Sequence, residues 1–243
     1  MKILVLQHIR AEHPGVFRNF LKEDGYDWFP VHLDEGQILP SLDDYDALWV
    51  MGGPMDVWEE EKHPWLCNEK KLIKEAVEQR GMSFLGLCLG HQLLAEALGG
   101  KCGPAEHPEI GVKKVQLTDD GLTGVIFDAL PEVFSCLQWH SAEIKKMPAG
   151  AICLATSPDC AVQAMSWGPR AYSMQFHLEV EADTVENWAA IPSYAEDLET
   201  ALGKNGVEEL KMTCEKNMAE FGRLAERFYI NWLQTSAKGL SVT

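Results

Sequence analysis

The amino-acid sequence predicts an α/β fold organised on a mostly parallel sheet, and three observations carry that prediction. Short apolar runs alternate with stretches of helical period through the first hundred residues. Those runs are nearly continuous in apolar side chains, the mark of strands covered on both faces. From about 101 to 177 strand follows strand, and from 181 onward the pattern is helical. This reads as an antiparallel extension at one sheet edge followed by a C-terminal helical segment.

Residues 2–7 are a strand, and 14–25 a helix with Val16, Phe17, Phe20 and Leu21 at helical spacing and Gly25 as its stop. Residues 28–33 and 45–51 are the second and third strands, the latter running into Gly52-Gly53-Pro54. A helix opens at His63-Pro64 and continues to Gln79, with Leu72, Ile73, Ala76 and Val77 as its apolar stripe. Residues 82–87 are a fourth strand, and 90–98 a short helix ended by Gly99-Gly100. Strands follow at 112–117, 133–138, 151–155, 160–166 and 171–176, and the last is expected to return to the main sheet. The helical region from 181 falls into two stretches broken near 203–206. Its apolar residues Leu210, Met218, Phe221, Leu224, Ala225 and Phe228 fit either packing on the core or a homodimer surface. No linker or repeat divides the chain, so one domain over 1–243 is expected, with a core at 1–180 and helices at 181–243.

Composition narrows the function. A chain of 243 residues, 46% hydrophobic, can bury a full core unaided. Thirty-seven acidic against 21 basic residues leave a net charge of −16. That excludes phosphate-backbone binding, which depends on Lys and Arg, and adhesion to an anionic membrane. No uncharged apolar run reaches the ~18 residues of a membrane span. Seven cysteines without a close CxxC pair fit neither a disulfide framework nor a zinc site. A cytoplasmic protein with reduced thiols is the expectation. His8 with His13, and Cys153 with Cys160, lack metal-ligand spacing, so no metal is expected.

Three motifs carry chemistry. In Gly86-Leu87-Cys88-Leu89-Gly90 a strand runs straight into a helix, the geometry of a nucleophile elbow. The flanking glycines let strand and helix approach closely, and the helix N-terminus is expected to lower the Cys88 pKa. In His177-Leu178-Glu179 two residues at spacing two can face one site, the carboxylate orienting the imidazole. The Gly-Gly-Pro turn at 52–54 can aim a backbone N–H at the same sheet edge. With the N–H of Leu89, that of Gly53 would form a two-donor oxyanion hole.

Taken together, these motifs resemble the class I glutamine amidotransferases, in particular small stand-alone proteins similar to the glutaminase domain of GMP synthase. The resemblance covers most of 1–180. It includes the 52–54 turn, the Pro-Trp of 59–66, the elbow with His91-Gln92, residues 94–100, Gln138-Trp139-His140 and Gln175 to Val180. It implies a flavodoxin-like three-layer sandwich and a triad of Cys88, His177 and Glu179. It implies hydrolysis of the glutamine side-chain amide through a cysteine thioester, without a cofactor. It further implies Gly52, Gln92, His140 and Ser141 as contacts to the γ-glutamyl substrate. Leu178 stands where the family commonly has proline, and 138–143 departs from the common synthase pattern. No phosphate-binding motif accompanies the elbow, so ammonia would need a separate acceptor, such as a synthase subunit, or would simply be lost. Two alternatives stay open: a γ-glutamyl peptidase using the same triad, and a non-catalytic regulatory or binding subunit.

Overall fold

The computed structural model describes residues 1–237; the last six residues of the helical segment expected at 181–243 lie outside the described residues. Among the described residues nine strands form one sheet: β1 (Lys2–Gln7), β2 (Asp27–His32), β3 (Ala47–Val50), β4 (Ser83–Leu87), β5 (Lys101–Leu117), β6 (Val133–Lys146), β7 (Ala151–Thr156), β8 (Ala164–Trp167) and β9 (Ala171–Met174). Their spatial order is β2-β1-β3-β4-β9-β8-β7-β5-β6. The five strands from β2 to β9 run parallel, and the rest of the sheet is antiparallel. The last strand therefore does return to the main sheet, pairing beside β4.

Successive residues of the central strands supply opposite faces, as the two-residue side-chain period requires. Ile3, Val5, Trp49 and Leu85 pack with Phe17 of α1 (Phe17–Glu23) and with Phe228 and Trp232 of α7 (Gly206–Ala237). Leu4, Leu6, Leu48 and Phe84 pack with Leu66 and Ile73 of α2 (Trp65–Lys74) and Leu93 of α3 (Leu89–Ala97). A parallel sheet buried on both faces is the outcome, which explains the unbroken apolar runs. The remaining helices are α4 (Asp119–Thr123), α5 (Thr184–Ala189) and α6 (Pro192–Leu202). Helices α5 to α7 bury Trp188, Tyr194, Leu198, Leu210 and Phe221 against Ile110 of β5 and Trp139 of β6. The apolar stripe of α7 is thus occupied by its own chain.

Several elements depart from the sequence expectation. Strand β5 begins at Lys101, eleven residues before the expected 112, despite Pro104 and Pro108. Up to Val115 it is paired by β6 alone, and its register shifts between Pro104 and Glu109. One-sided pairing and a bulge are the two settings in which strand prolines are tolerated. The helix expected to reach Gln79 changes to a π-turn at Glu75–Gln79. The C-terminal region holds three helices, because Pro192 at the first turn of α6 follows an extended Ile191.

What matters for chemistry is where the parallel strands stop. β1, β3, β4 and β9 are neighbours with a common direction, so the segments after them meet at one sheet edge. Those segments carry His8, Gly52-Gly53, Cys88 and His177.

Candidate active site

Cys88 sits between β4 and α3 at φ +50° and ψ −103°, a backbone conformation that L-residues seldom adopt. Such strain costs on the order of 1–3 kcal/mol and persists only where the surroundings hold it. Here they do. The Cys88 N–H donates to the Met174 carbonyl at 2.9 Å, tying the elbow to β9. A Cβ on Gly90 would lie 2.0 Å from the Val50 carbonyl oxygen, and one on Gly86 would lie 2.5 Å from the Gly90 oxygen. Both glycines are therefore demanded by backbone approach, as the elbow reading expected.

His177 follows β9, its N–H bound to the Leu137 carbonyl at 2.9 Å. Its Nδ1 lies 2.6 Å from Glu179 Oε1, and both side chains are buried. A carboxylate accepts, so Nδ1 carries the proton and Nε2 is left as the free ring nitrogen. Nε2 is buried with no hydrogen-bond partner in the protein. Burial works to lower the His177 pKa, but Glu179 together with Cys88 outweighs it, and the imidazole is held well above its ordinary value. For Cys88 the expected lowering does not occur. Burial pushes the thiol up, and the nearby His177 ring draws it back only in part. The helix N-terminus is outweighed because the thiol is only 6% exposed.

A cavity of about 210 Å³ opens over Cys88, lined among others by Gly53, Leu89, Gln92, His140, Ser141 and Tyr194. Among the described residues, neither the Gly53 nor the Leu89 N–H donates to a protein acceptor. Gly52 lies beside this cavity and not in its lining, packed against Glu12. Gln92 Nε2 donates to Gln175 Oε1 at 3.0 Å, and Gln175 Nε2 donates to Cys88 Sγ at 3.5 Å. The His140 ring is engaged elsewhere: its Nδ1 donates to the Ala142 carbonyl at 3.0 Å, and its Nε2 lies 3.4 Å from Glu109. Ser141 is an exposed residue at the cavity rim.

Sequence reasoning missed four residues here. Glu12 is buried, accepts from the Tyr194 hydroxyl at 2.6 Å, and has its pKa raised by burial, with His177 opposing. Tyr194 reaches the cavity from α6. The Trp188 ring meets the His177 ring edge-on at 4.6 Å between centroids. His8 is fully buried and contacts Gly52 O and Glu69. The polar pair Gln7-His8 closing an apolar strand was the one available signal for the first of these segments. Tyr194 and Trp188 had none, because only the packing of α5 and α6 brings them back to the sheet edge. Among the described residues, one group of metal-type ligands lies close together, His32, Asp34 and Glu35. Its Glu35 is taken by Arg10 in a 2.5 Å ion pair.

Comparison with known proteins gives relatives of three kinds. The glutamine amidotransferase-like protein YfeJ of Salmonella typhimurium is 29% identical over 233 residues, covering 94% of this chain and 95% of that one. A GMP synthase [glutamine-hydrolyzing] of Aeropyrum pernix is 32% identical over 161 residues, 64% of this chain but 29% of its own length. Gamma-glutamyl peptidase 3 of Arabidopsis thaliana is 26% identical, over 71% of this chain and 72% of its own. The crystal structure of a glutamine amidotransferase from Thermotoga maritima superposes with a TM-score of 0.85 at 28% identity, covering 97% and 98% of the two chains. Residues 24–187, well over half of the sequence, match the family described as glutamine amidotransferase class-I. The chain belongs to the class I glutamine amidotransferases.

Proposed function

We propose that the chain hydrolyses the side-chain amide of glutamine to glutamate and ammonia through a γ-glutamyl thioester on Cys88. The observation that carries this reading is the strained Cys88 lining a cavity, with the His177–Glu179 pair beside it. In the first half-reaction the Cys88 proton passes to His177 Nε2 and the sulfur attacks the amide carbon. The carbonyl π pair moves onto oxygen, where the N–H groups of Gly53 and Leu89 receive the negative charge. On collapse the C–N bond breaks, and the imidazolium gives its proton to the departing ammonia. In the second half-reaction His177 takes a proton from water, hydroxide adds to the thioester, and the C–S bond breaks as sulfur regains a proton. Glu179 keeps Nδ1 protonated throughout, so that Nε2 always faces the reaction.

A second reading has an observation of its own. A further cavity of about 410 Å³, lined by Ile110, Lys113, Thr200 and Leu202, shares Ser141 and Asp197 with the first. A γ-glutamyl peptide longer than glutamine has room to extend into it. The seven free cysteines support a reducing, cytoplasmic setting. In the glutamine-hydrolysis reading the ammonia acceptor is a separate synthase-type subunit.

Intact-mass labelling with a glutamine-derived electrophile tests the proposal. Wild type is expected to gain one adduct and the Cys88→Ala chain none. A Cys88→Ala protein with wild-type turnover would sink the mechanism. Comparing kcat/KM for glutamine and γ-glutamyl dipeptides then separates the two readings. A higher value for the dipeptides favours the peptidase.

A further inference from the structure

The Gly53 N–H and the Gly52 carbonyl belong to one peptide plane, so whatever fixes the carbonyl fixes the donor. The carbonyl is held at 2.8 Å by His8 Nδ1. His8 Nε2 in turn lies 2.9 Å from Glu69 Oε1, on the first helix after the glycine turn. Both side chains are fully buried. A carbonyl only accepts, so Nδ1 bears a proton, and a carboxylate at Nε2 calls for a second one. Burial works against that charge on His8, but Glu69 and the Gly52 carbonyl outweigh it and raise its pKa.

We infer that Glu69 and His8 form a buried relay that sets and polarises the Gly52–Gly53 peptide, making His8 a positioning residue for the oxyanion donor. The inference rests on the glutamine-hydrolysis reading and deepens it. Three features carry it. First, the two proposed donors differ in support. The Leu89 N–H is fixed by α3, whereas Gly53 lies in a turn with two glycines, the most mobile backbone available. Second, that turn is anchored up to Met51, whose N–H donates to Leu6 O at 3.0 Å and whose carbonyl accepts from Gly90 N at 3.2 Å. Beyond Met51, His8 is the side chain that grips the next peptide. It also packs beneath it: a Cβ on Gly53 would lie 2.7 Å from His8 Cβ. Third, a hydrogen bond to an amide carbonyl strengthens donation from the N–H of the same amide. A buried ion pair is a weak contributor to stability, so orientation is the better account of its presence.

The test uses the full chain and two near-isosteric variants. Asparagine at position 8 presents its NH2 where Nδ1 stands, keeping the grip on Gly52. Glutamine presents its NH2 where Nε2 stands, keeping Glu69 and releasing Gly52. The probe is glutamate γ-semialdehyde: the Cys88 thiol adds across its C=O, and the resulting oxygen occupies the oxyanion position. For His8→Gln, kcat with glutamine is expected to fall about 10²-fold at nearly constant KM, the size of a lost oxyanion donor. Aldehyde affinity is expected to fall by the same factor, and His8→Asn to regain most of both. If His8→Gln does not fold, the isosteric Glu69→Gln carries the test, with a roughly 10-fold loss in kcat and aldehyde affinity at constant KM. A folded His8→Gln or Glu69→Gln matching wild type in both readouts overturns the relay. So do equal losses in His8→Gln and His8→Asn with KM rising in step, the pattern of a merely structural role. Wild type that binds no aldehyde would instead remove the glutamine-hydrolysis reading, and the relay with it.

Discussion

Gly15→Ala is the substitution whose cost can be worked most fully from the structure. Gly15 has φ +49°, where an L-residue costs about 1–2 kcal/mol. A methyl there would sit 1.7 Å from the Glu179 carbonyl oxygen and 2.7 Å from its carbon, far inside ordinary contact. The backbone of Glu179 must move by more than an ångström in order of magnitude, and the 2.9 Å bond from Val16 N–H to that carbonyl is lost or lengthened. A hydrogen bond contributes about 0.5–1.5 kcal/mol, so the total is roughly 1.5–3.5 kcal/mol. In a chain of this size that lowers Tm by roughly 5–10 °C. The catalytic effect is separate: Glu179 holds His177 at 2.6 Å, and a ~1 Å misplacement costs about 10²-fold in kcat. Gly25→Ala is the matched control. Its φ is +69°, but no atom lies within 4 Å of the added methyl, so about 1 kcal/mol and unchanged kcat are expected. Thermal unfolding and glutamine turnover, measured well below both midpoints, decide the matter. Gly15→Ala with the Tm and kcat of Gly25→Ala would refute the coupling of this loop to Glu179.

Two further predictions concern protons. Glu179→Gln removes the carboxylate that raises the His177 pKa. The acid limb of the pH–kcat profile, below which His177 is already protonated and cannot take the Cys88 proton, therefore moves to lower pH with a milder loss at the optimum than in His177→Ala; an unmoved limb refutes the orienting role. His91 is buried between Ser173 Oγ at 2.8 Å and the Val162 carbonyl at 3.1 Å, and burial lowers its pKa to about 3. Between pH ~6.5 and that value the unfolded chain takes up a proton that the folded chain refuses. Stability then falls with pH by up to about 1.4 kcal/mol per unit. Urea unfolding at pH 7 and pH 5 is expected to show a smaller acid loss for His91→Gln, and an equal loss would exclude His91 as its source.

The fold and the proposed nucleophile were legible because the same residues specify both. Gly86 and Gly90 are needed for the strand-to-helix turn whether or not Cys88 reacts, and they sit in adjacent sequence. Residues 101–111 were not legible as strand, since Pro104, Pro108 and Gly103 read as loop until β6 supplies the partner on one side. The supporting residues were hidden for another reason. His8 meets Glu69 across 61 positions, and Tyr194 meets Glu12 across 182. No local spacing encodes such pairs; the packing of α2 and α6 against the segments that follow β1 brings them together. The expected lowering of the Cys88 pKa failed on depth, because a helix N-terminus can be read from sequence but enclosure of the sulfur cannot.

The β4–β9 pairing has a consequence for the chain as it is being made. Leu87 and Met174 are ladder partners, and the Gln175 contact to Cys88 spans 87 positions. A growing polypeptide that has completed the elbow still has most of a hundred residues to add before His177 and Glu179 exist. On the proposed mechanism its thiol until then lacks both base and orienting acid, and a ribosome-bound chain would not consume free glutamine. On that mechanism competence would wait for the closing of one strand pair, and chains ending before Glu179 would be silent rather than leaky.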